Sequence, residues 1–207
     1  MPGALHLTGG AAAATGMRPV LLLIDMQEHF REGMAERIVP QLNALIDACH
    51  RLRVPIIFTQ HGHPDPEAEE CSSVLVRWWG ADGSIRWGSP AWQLLPELHR
   101  KPADHVIQSK RTYDAFQGTE LLELLQGHGC DTLVVGGVMT NLCCETTARS
   151  AFTKDFTVLF LSDCTATANK RMHDASLLNL GYGFAHVMTC VEAAAALQAT
   201  VMEQRHA

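Results

Sequence analysis

Residues 136–149 have the sequence Gly-Gly-Val-Met-Thr-Asn-Leu-Cys-Cys-Glu-Thr-Thr-Ala-Arg, and they directly follow the apolar run Thr132–Val135. The pattern predicts a buried strand that ends in a tight glycine turn, followed by a helix with a cysteine in its first turn. A helix N-terminus carries partial positive charge and unpaired N–H groups, and both stabilise a thiolate. Because the thiolate is the reactive form of cysteine, Cys143 is the candidate nucleophile, and its pKa is expected to lie below the reference value of about 8.5.

Strand and helix patterns alternate on both sides of this segment. Strands are predicted at 20–24, 55–59, 105–108, 132–135, 157–161 and 185–189, and helices at 37–52, 92–99, 119–126, 142–154, 170–180 and 191–204. The strands are apolar without polar alternation, which indicates burial on both faces. The chain is therefore predicted to be an α/β protein with a mainly parallel sheet and helices on both sides. Residues 61–104 show little periodicity and form a long excursion.

Composition narrows the possible functions. The 207 residues predict one domain at 17–207, preceded by an uncharged leader at 1–16, rich in Ala and Gly, that we expect to be flexible. A net charge of −6 without a basic stripe argues against binding to nucleic acid, and the longest apolar runs are too short to cross a membrane. Seven scattered cysteines suggest no disulfide framework, so we expect a cytoplasmic protein. No Gly-Xaa-Gly-Xaa-Xaa-Gly motif follows the first strand, which argues against a dinucleotide-binding domain.

Three reactive residues follow three of the predicted strands: Asp25, Lys110 and Cys143. Ligands of such sheets bind outside the carboxyl ends of the strands, so neighbouring strands would bring an acid, a cation and a thiol together. This set suits amide hydrolysis, with the carboxylate moving the proton and the thiol attacking the carbonyl. Taken singly, each residue has another interpretation: a turn residue or helix cap, a solvated lysine, and a small buried cysteine.

At these positions the sequence resembles the isochorismatase-like cysteine hydrolase superfamily, which includes the nicotinamidase-related amidohydrolases. The matching segments are Leu23–Gln27 with Phe30, Ser109–Phe116 with Gly118 and Thr119, Gly137–Cys143, and Asp163–Thr167. The resemblance extends from about Arg18 to Val201. It implies a three-layer sandwich around a six-stranded, mainly parallel sheet of Rossmann-like topology, and a homodimer or higher homo-oligomer.

The resemblance also implies the site residues. Asp25, Lys110 and Cys143 would form the catalytic triad, and a cis peptide between Val138 and Met139 would direct N–H groups, including that of Cys143, at the oxyanion. The residues expected to bind a small-molecule substrate are Gln27, Phe30, His61, His63, Tyr113, Phe116 and Thr140.

The excursion adds four tryptophans, which could wall off a pocket or equally belong to a core or an interface; they are Trp78, Trp79, Trp87 and Trp92. Arg111 could pair with an acidic substrate or with a surface carboxylate.

Nicotinamidases hold a metal through an Asp-Xaa-His run after the second strand and a further histidine. The matching run here is His61-Gly62-His63, so a histidine replaces the aspartate, and no third ligand is identified. We therefore expect no cofactor, and a divalent metal at His61 and His63 is the alternative.

The function predicted from these residues is hydrolysis of a C–N bond in a small carboxamide or ureido compound through a thioester. Isochorismatases that cleave a vinyl ether lack the nucleophilic cysteine, so the presence of Cys143 favours the amide reaction. Vinyl ether hydrolysis with Asp25 as the acid is one alternative. A non-catalytic binding protein on the same fold is the other.

Overall fold

The computed structural model describes residues 16–69 and 73–204, so the predicted leader lies outside the described residues except for its last position. The strands in these ranges are β1 (Pro19–Ile24), β2 (Ile56–His61), β3 (His105–Lys110), β4 (Thr132–Val138), β5 (Thr157–Ala166) and β6 (His186–Met188). The helices there are α1 (Glu36–Leu52), α2 (Pro66–Glu69), α3 (Val74–Trp79), α4 (Leu121–Gly127), α5 (Glu145–Phe152), α6 (Lys170–Gly183) and α7 (Cys190–Gln204).

The strands form one parallel sheet with the order β3-β2-β1-β4-β5-β6. This is the doubly wound, Rossmann-like order, and the predicted fold class is confirmed. The order reverses between β1 and β4, because β2 and β3 extend the sheet in one direction and β5 and β6 extend it in the other. Ligands of such sheets bind outside the strand ends at the point of reversal. Asp25 and the segment that contains Cys143 follow the two strands at that point.

Both faces of the sheet are buried, as its apolar strands predicted. In β1, Leu21 and Leu23 join the core under α1 and α7, whereas Val20, Leu22 and Ile24 join the core under α4, α5 and α6. The apolar positions predicted for α1 are all buried, namely Ile38, Leu42, Leu45, Ile46 and Cys49. Two helix layers therefore enclose the sheet. None of the helices in the described ranges is long and apolar enough to pass through a membrane.

The excursion between β2 and β3 differs from its prediction. No helix covers residues 92–99: a short 3-10 turn ends at Trp92, and Leu94 then pairs with Gln27 as an isolated β-bridge. Pro96 has no N–H to donate to a helix, which disfavours the predicted one. The helices α2 and α3 were not predicted, because segments of four and six residues are too short to show a helical period.

Gly137 sets how closely β4 approaches β1. Its φ is +116°, and a Cβ on it would lie 2.2 Å from the carbonyl oxygen of Ile24. Only glycine tolerates both the conformation and the contact. The preceding Gly136 is also close-packed, since a Cβ there would lie 3.1 Å from the carbonyl oxygen of Cys164. Gly137 therefore lets the end of β4 lie directly against the end of β1, and Gly136 lets β4 lie close to β5.

We expect Gly137→Ala to lower the free energy of unfolding by at least about 3 kcal/mol, or to prevent folding, because the new Cβ meets main-chain atoms that cannot move aside. Chemical denaturation followed by circular dichroism measures the change. Gly127→Ala at the end of α4 is the matched control, since a Cβ there meets nothing within 4 Å. That variant should be neutral or more stable by up to about 1 kcal/mol. Equal stability of the two variants would contradict the prediction.

Candidate active site

Asp25 directly follows β1 and has a left-handed main chain, with φ of +52°. Its side chain is fully buried. One carboxylate oxygen accepts a hydrogen bond from the Thr59 hydroxyl at 2.6 Å, and the other accepts one from Lys110 Nζ at 2.6 Å. Both oxygens are thus held by donors, which is the arrangement that suits an ionised carboxylate. Thr59 was not predicted as a site residue; the available signal was a lone hydroxyl in an otherwise apolar strand.

Lys110 is the last residue of β3, and β2 lies between β3 and β1. Because neighbouring strands are about 4.8 Å apart, the side chains of Lys110 and Asp25 together cross roughly 9 to 10 Å of sheet. The lysine is fully buried. Burial opposes its charge, but the Asp25 carboxylate and the Cys143 thiol outweigh burial and raise the pKa of Lys110. The ammonium therefore stays charged inside the site.

Cys143 lies in the turn Thr140–Cys144, which links β4 to α5, and only 5% of the residue is exposed. Its thiol interacts electrostatically with both Asp25 and Lys110. Burial raises the pKa of this thiol to about 12, because the charge of Lys110 only partly offsets burial and Asp25 raises the pKa further. The predicted pKa below the reference value is therefore wrong. The predicted helix start is present, since Cys143 lies in the helical turn Thr140–Cys144 that continues directly into α5, but the sulfur is buried beside a carboxylate.

The main chain around Cys143 forms a tight turn. The peptide bond between Val138 and Met139 is cis. The carbonyl oxygen of Met139 then accepts hydrogen bonds from the N–H groups of Leu142 and Cys144, both at 3.1 Å. Consecutive N–H groups of such turns form concave sites for anions. The turn can therefore hold the negative oxygen of a tetrahedral intermediate beside the thiol.

An acid, an ammonium and a thiol from three strand ends thus meet where the strand order reverses. The profile of the isochorismatase domain family matches residues 19–192 of the chain. The chain belongs to the isochorismatase family.

Individual relatives agree with this placement. Nicotinamidase 3 of Arabidopsis thaliana is 42% identical over 172 residues, and the match covers 82% of this chain and 84% of that protein. Enterobactin synthase component B of Escherichia coli (strain K12) is 30% identical over 166 residues, which cover 77% of this chain. The match covers 56% of that longer protein, so this chain spans little more than half of its length.

A solved structure shows the same fold. A cysteine hydrolase from Pseudomonas syringae pv. phaseolicola 1448A superposes with a TM-score of 0.81 at 23% identity, and the match covers 88% of this chain and 93% of the other. Together with the family match and the nicotinamidase relative, this makes the isochorismatase-family chain a hydrolase, and the predicted enzyme class is confirmed.

Gln27 holds the framework of the site together. Its amide nitrogen donates to the carbonyl oxygens of His61 at 3.0 Å and Trp92 at 2.9 Å, and its amide oxygen accepts from the N–H of His61 at 2.8 Å. The amide is therefore occupied by the main chain at the end of β2 and in the excursion. In place of the predicted contact with substrate, we assign Gln27 a supporting position.

The predicted aromatic pocket residues lie in three different places. Phe116 is buried in the core under α4, α5 and α6 and stacks on Phe156, with ring centroids 6.2 Å apart. Phe30 packs on the opposite core, under α1 and α7. Phe116 is thus a core residue of the loop after β3, whereas Phe30 is half-buried at the edge of the other core. Tyr113 instead links the loop after β3 to α3, since its hydroxyl accepts a hydrogen bond from Trp79 Nε1 at 2.8 Å.

His61 and His63 are buried at the end of β2, and their rings meet edge to face with centroids 5.4 Å apart. His63 Nδ1 bonds to the Glu69 carboxylate at 2.7 Å, and Glu69 also pairs with Arg111. His63 Nε2 and His61 Nδ1 are buried with no hydrogen-bond partner in the part of the chain described here. Burial, followed by the charge of Lys110, holds the pKa of His61 well below its usual range.

Two of the four tryptophans, Trp87 and Trp92, pack around Gly62 at the end of β2. A Cβ on Gly62 would lie 2.7 Å from a ring carbon of Trp87 and 2.9 Å from one of Trp92. Both indole N–H groups are buried, and neither has a hydrogen-bond partner within residues 16–69 and 73–204. Trp78, in contrast, is 77% exposed. The tryptophans therefore divide between a wall beside the site and an outer surface.

Within residues 16–69 and 73–204, a metal at His61 and His63 would lack a third ligand. In the described part of the chain, no three His, Cys, Asp or Glu side chains are grouped as a metal ion requires. The chemistry derived for this site therefore uses only side chains and main-chain groups of the protein.

We expect Lys110→Met to lower the free energy of unfolding by about 3–5 kcal/mol, because the Asp25 carboxylate is then buried without a counter-charge. Adding Asp25→Asn should recover much of the loss, since an amide needs no counter-charge. Denaturation of the two single variants and the double variant measures this coupling. Lys170→Met removes an ion pair with Asp174 from the surface, where the lysine is 85% exposed, and should leave stability nearly unchanged. Strictly additive losses in the double variant would contradict the prediction.

We also expect alkylation of Cys143 by iodoacetamide to rise about tenfold per pH unit between about pH 7 and pH 10, without a plateau. Only the thiolate reacts, and the raised pKa of about 12 keeps its fraction small over this range. Site-resolved mass spectrometry measures the rates. Cys130 is the internal comparison, because it is partly exposed and burial raises its pKa only to about 11, so it should react faster throughout. A plateau for Cys143 below about pH 9 would count against the prediction.

Proposed function

We propose that the protein is a cysteine amidohydrolase that cleaves a C–N bond of a small carboxamide or ureido compound through a thioester. The observation that carries the proposal is the contact of the Cys143 thiol with both members of the buried pair of Lys110 and Asp25. A nucleophile, a proton acceptor and a fixed positive charge are the parts that this reaction needs. The name of the plant relative, nicotinamidase 3, points to the same class of substrate.

The first half of the reaction follows from the protonation of the resting site, where the raised pKa keeps the Cys143 thiol neutral. As the sulfur attacks the substrate carbonyl carbon, its proton passes to the Asp25 carboxylate. The carbonyl oxygen becomes an oxyanion, which the N–H groups of the turn bind. Asp25 then gives the proton to the substrate nitrogen, the C–N bond breaks, ammonia or an amine leaves, and a thioester remains.

In the second half of the reaction, water is the nucleophile and the sulfur of Cys143 is the leaving group. Water attacks the thioester carbon while Asp25 accepts a water proton. The carbon–sulfur bond then breaks, the thiol regains its proton, and a carboxylic acid is released. Lys110 stays charged throughout, because its pKa is raised, and it both orients Asp25 and stabilises negative charge on the sulfur. Burial strengthens each of these interactions by excluding water.

The substrate in this proposal carries a second hydrogen-bond acceptor away from the scissile amide. His61 pairs in register with Lys110, and burial followed by the Lys110 charge lowers its pKa, so we infer that its ring lies beside the triad. Four buried ring nitrogens around Gly62 have no partner among the described residues: His61 Nδ1, His63 Nε2, Trp87 Nε1 and Trp92 Nε1. Buried polar atoms are rarely left unpaired, so a small planar amide with an acceptor at its far end fits this wall.

Ammonia release from a panel of small amides and ureas tests the proposal. We expect the wild type to hydrolyse at least one of them, and Cys143→Ala to lose about 10⁴-fold or more in kcat because the nucleophile is gone. Cys130→Ala, which removes a cysteine outside the site, is the control and should keep wild-type activity. Retention of full activity in Cys143→Ala would contradict the thioester route and favour vinyl ether cleavage or another chemistry with Asp25 as the acid.

The same panel tests whether the substrate carries a second hydrogen-bond acceptor and whether His61 and His63 bind a metal. Nicotinamide and benzamide differ only in a ring nitrogen, and a site built to bond that acceptor should prefer nicotinamide by about 100-fold or more in kcat/KM. Equal rates for the pair would contradict an acceptor-binding wall. Loss of activity on addition of a chelator would instead assign a metal to His61 and His63.

A further inference from the structure

We infer that His173 is a positioning residue for the turn that carries the nucleophile, an inference that rests on the proposed cysteine chemistry. His173 lies in the first half of α6, and its Nδ1 is 3.0 Å from the hydroxyl oxygen of Thr140. Thr140 is the first residue of the turn and is fully buried. The hydrogen bond forms with either tautomer of the imidazole, because a hydroxyl both donates and accepts.

The beginning and the end of the turn are fixed in different ways. The end is fixed by the main chain, through the bonds from Leu142 and Cys144 to the carbonyl oxygen of Met139. The side chains of the first two residues reach outside the turn, to α6 and to the residue that follows β5. The Thr140 hydroxyl is hydrogen-bonded to His173. The side-chain oxygen of Asn141 accepts a hydrogen bond at 2.5 Å from the hydroxyl of Thr167.

The helix that carries His173 is itself fixed in place. Asn169 caps α6, because its side chain accepts a hydrogen bond from the N–H of Met172 at 3.0 Å and its carbonyl oxygen accepts one from the N–H of His173 at 3.2 Å. One turn later, the Ser176 hydroxyl donates to the Glu145 carboxylate at 2.5 Å. Residues three apart share a helix face, so His173 and Ser176 both face the nucleophile turn and α5. A helix held at both points gives His173 a fixed location from which to hold Thr140.

The position of Thr140 matters for catalysis because it follows Met139 directly, at the start of the N–H groups proposed to bind the oxyanion. A displacement of about 1 Å in such a group can cost about 100-fold in rate. Oxyanion contacts form only in the transition state, so their loss lowers kcat and leaves KM nearly unchanged. A purely structural contact would lower stability without this selective effect on kcat.

Three substitutions of His173 test the inference with the amide that the wild type hydrolyses best. In asparagine a polar atom is attached to Cγ, as Nδ1 is in histidine, whereas in glutamine the polar atoms lie one bond farther out. We expect His173→Ala and His173→Gln to lower kcat about 10- to 100-fold with KM within about threefold, and His173→Asn to keep kcat within about threefold of the wild type. Asp174→Ala is the control on the same helix, because it removes only an exposed ion pair with Lys170, and it should keep wild-type kcat.

Amide hydrogen exchange of residues 139–144 provides a second readout that needs no substrate. Exchange should rise about tenfold or more in His173→Ala and His173→Gln, and stay at the wild-type rate in His173→Asn and Asp174→Ala. Wild-type kcat and exchange in His173→Ala, or equal losses in the Asn and Gln variants, would overturn the inference. A wild type that hydrolyses no amide, together with the expected exchange differences, would support the positioning of the turn and count against the proposed function alone.

Discussion

The buried ion pair between Lys110 and Asp25 is the interaction on which the site depends. It joins an outer strand to a central one across an intervening strand, so it constrains the sheet and the chemistry together. A buried charge pair costs desolvation and is tolerated when its remaining hydrogen-bonding groups are satisfied, which the hydroxyl of Thr59 does for the second carboxylate oxygen. The geometry of the acid is therefore fixed before any substrate arrives.

The burial of the thiol changes how its activation is understood. A cysteine at an exposed helix start would be activated by a lowered pKa, whereas Cys143 is protonated and lies in contact with its own base. In the proposed reaction, reactivity then depends on the transfer of a proton to Asp25 during attack. A sequence shows that a cysteine precedes a helix, but it does not show whether the sulfur is exposed, and burial is the larger influence on this pKa.

The sequence predicted the features that depend on local pattern and on general topology. Apolar runs located the strands. The rule that ligands bind at the carboxyl ends of parallel strands predicted that Asp25 and Cys143 share one site, without knowledge of the strand order. The excursion was predicted poorly, because its conformation depends on distant contacts such as the bond from the N–H of Leu95 to the carbonyl oxygen of Met26. Phe116 and His173 show the same limit, since only the folded chain shows which neighbour a side chain contacts.

Lys110 lies at the end of β3, an edge strand, so the activity proposed here depends on the integrity of that edge of the sheet. β3 has a neighbouring strand on one side only, and its burial is broken by exposed positions. Edge strands unfold locally at a lower free energy than central strands. When β3 opens, the ammonium withdraws from the acid and the thiol at once, although the central strands are still intact. We therefore expect this local opening to limit the working lifetime of the enzyme at elevated temperature, with inactivation preceding the cooperative melting of the core.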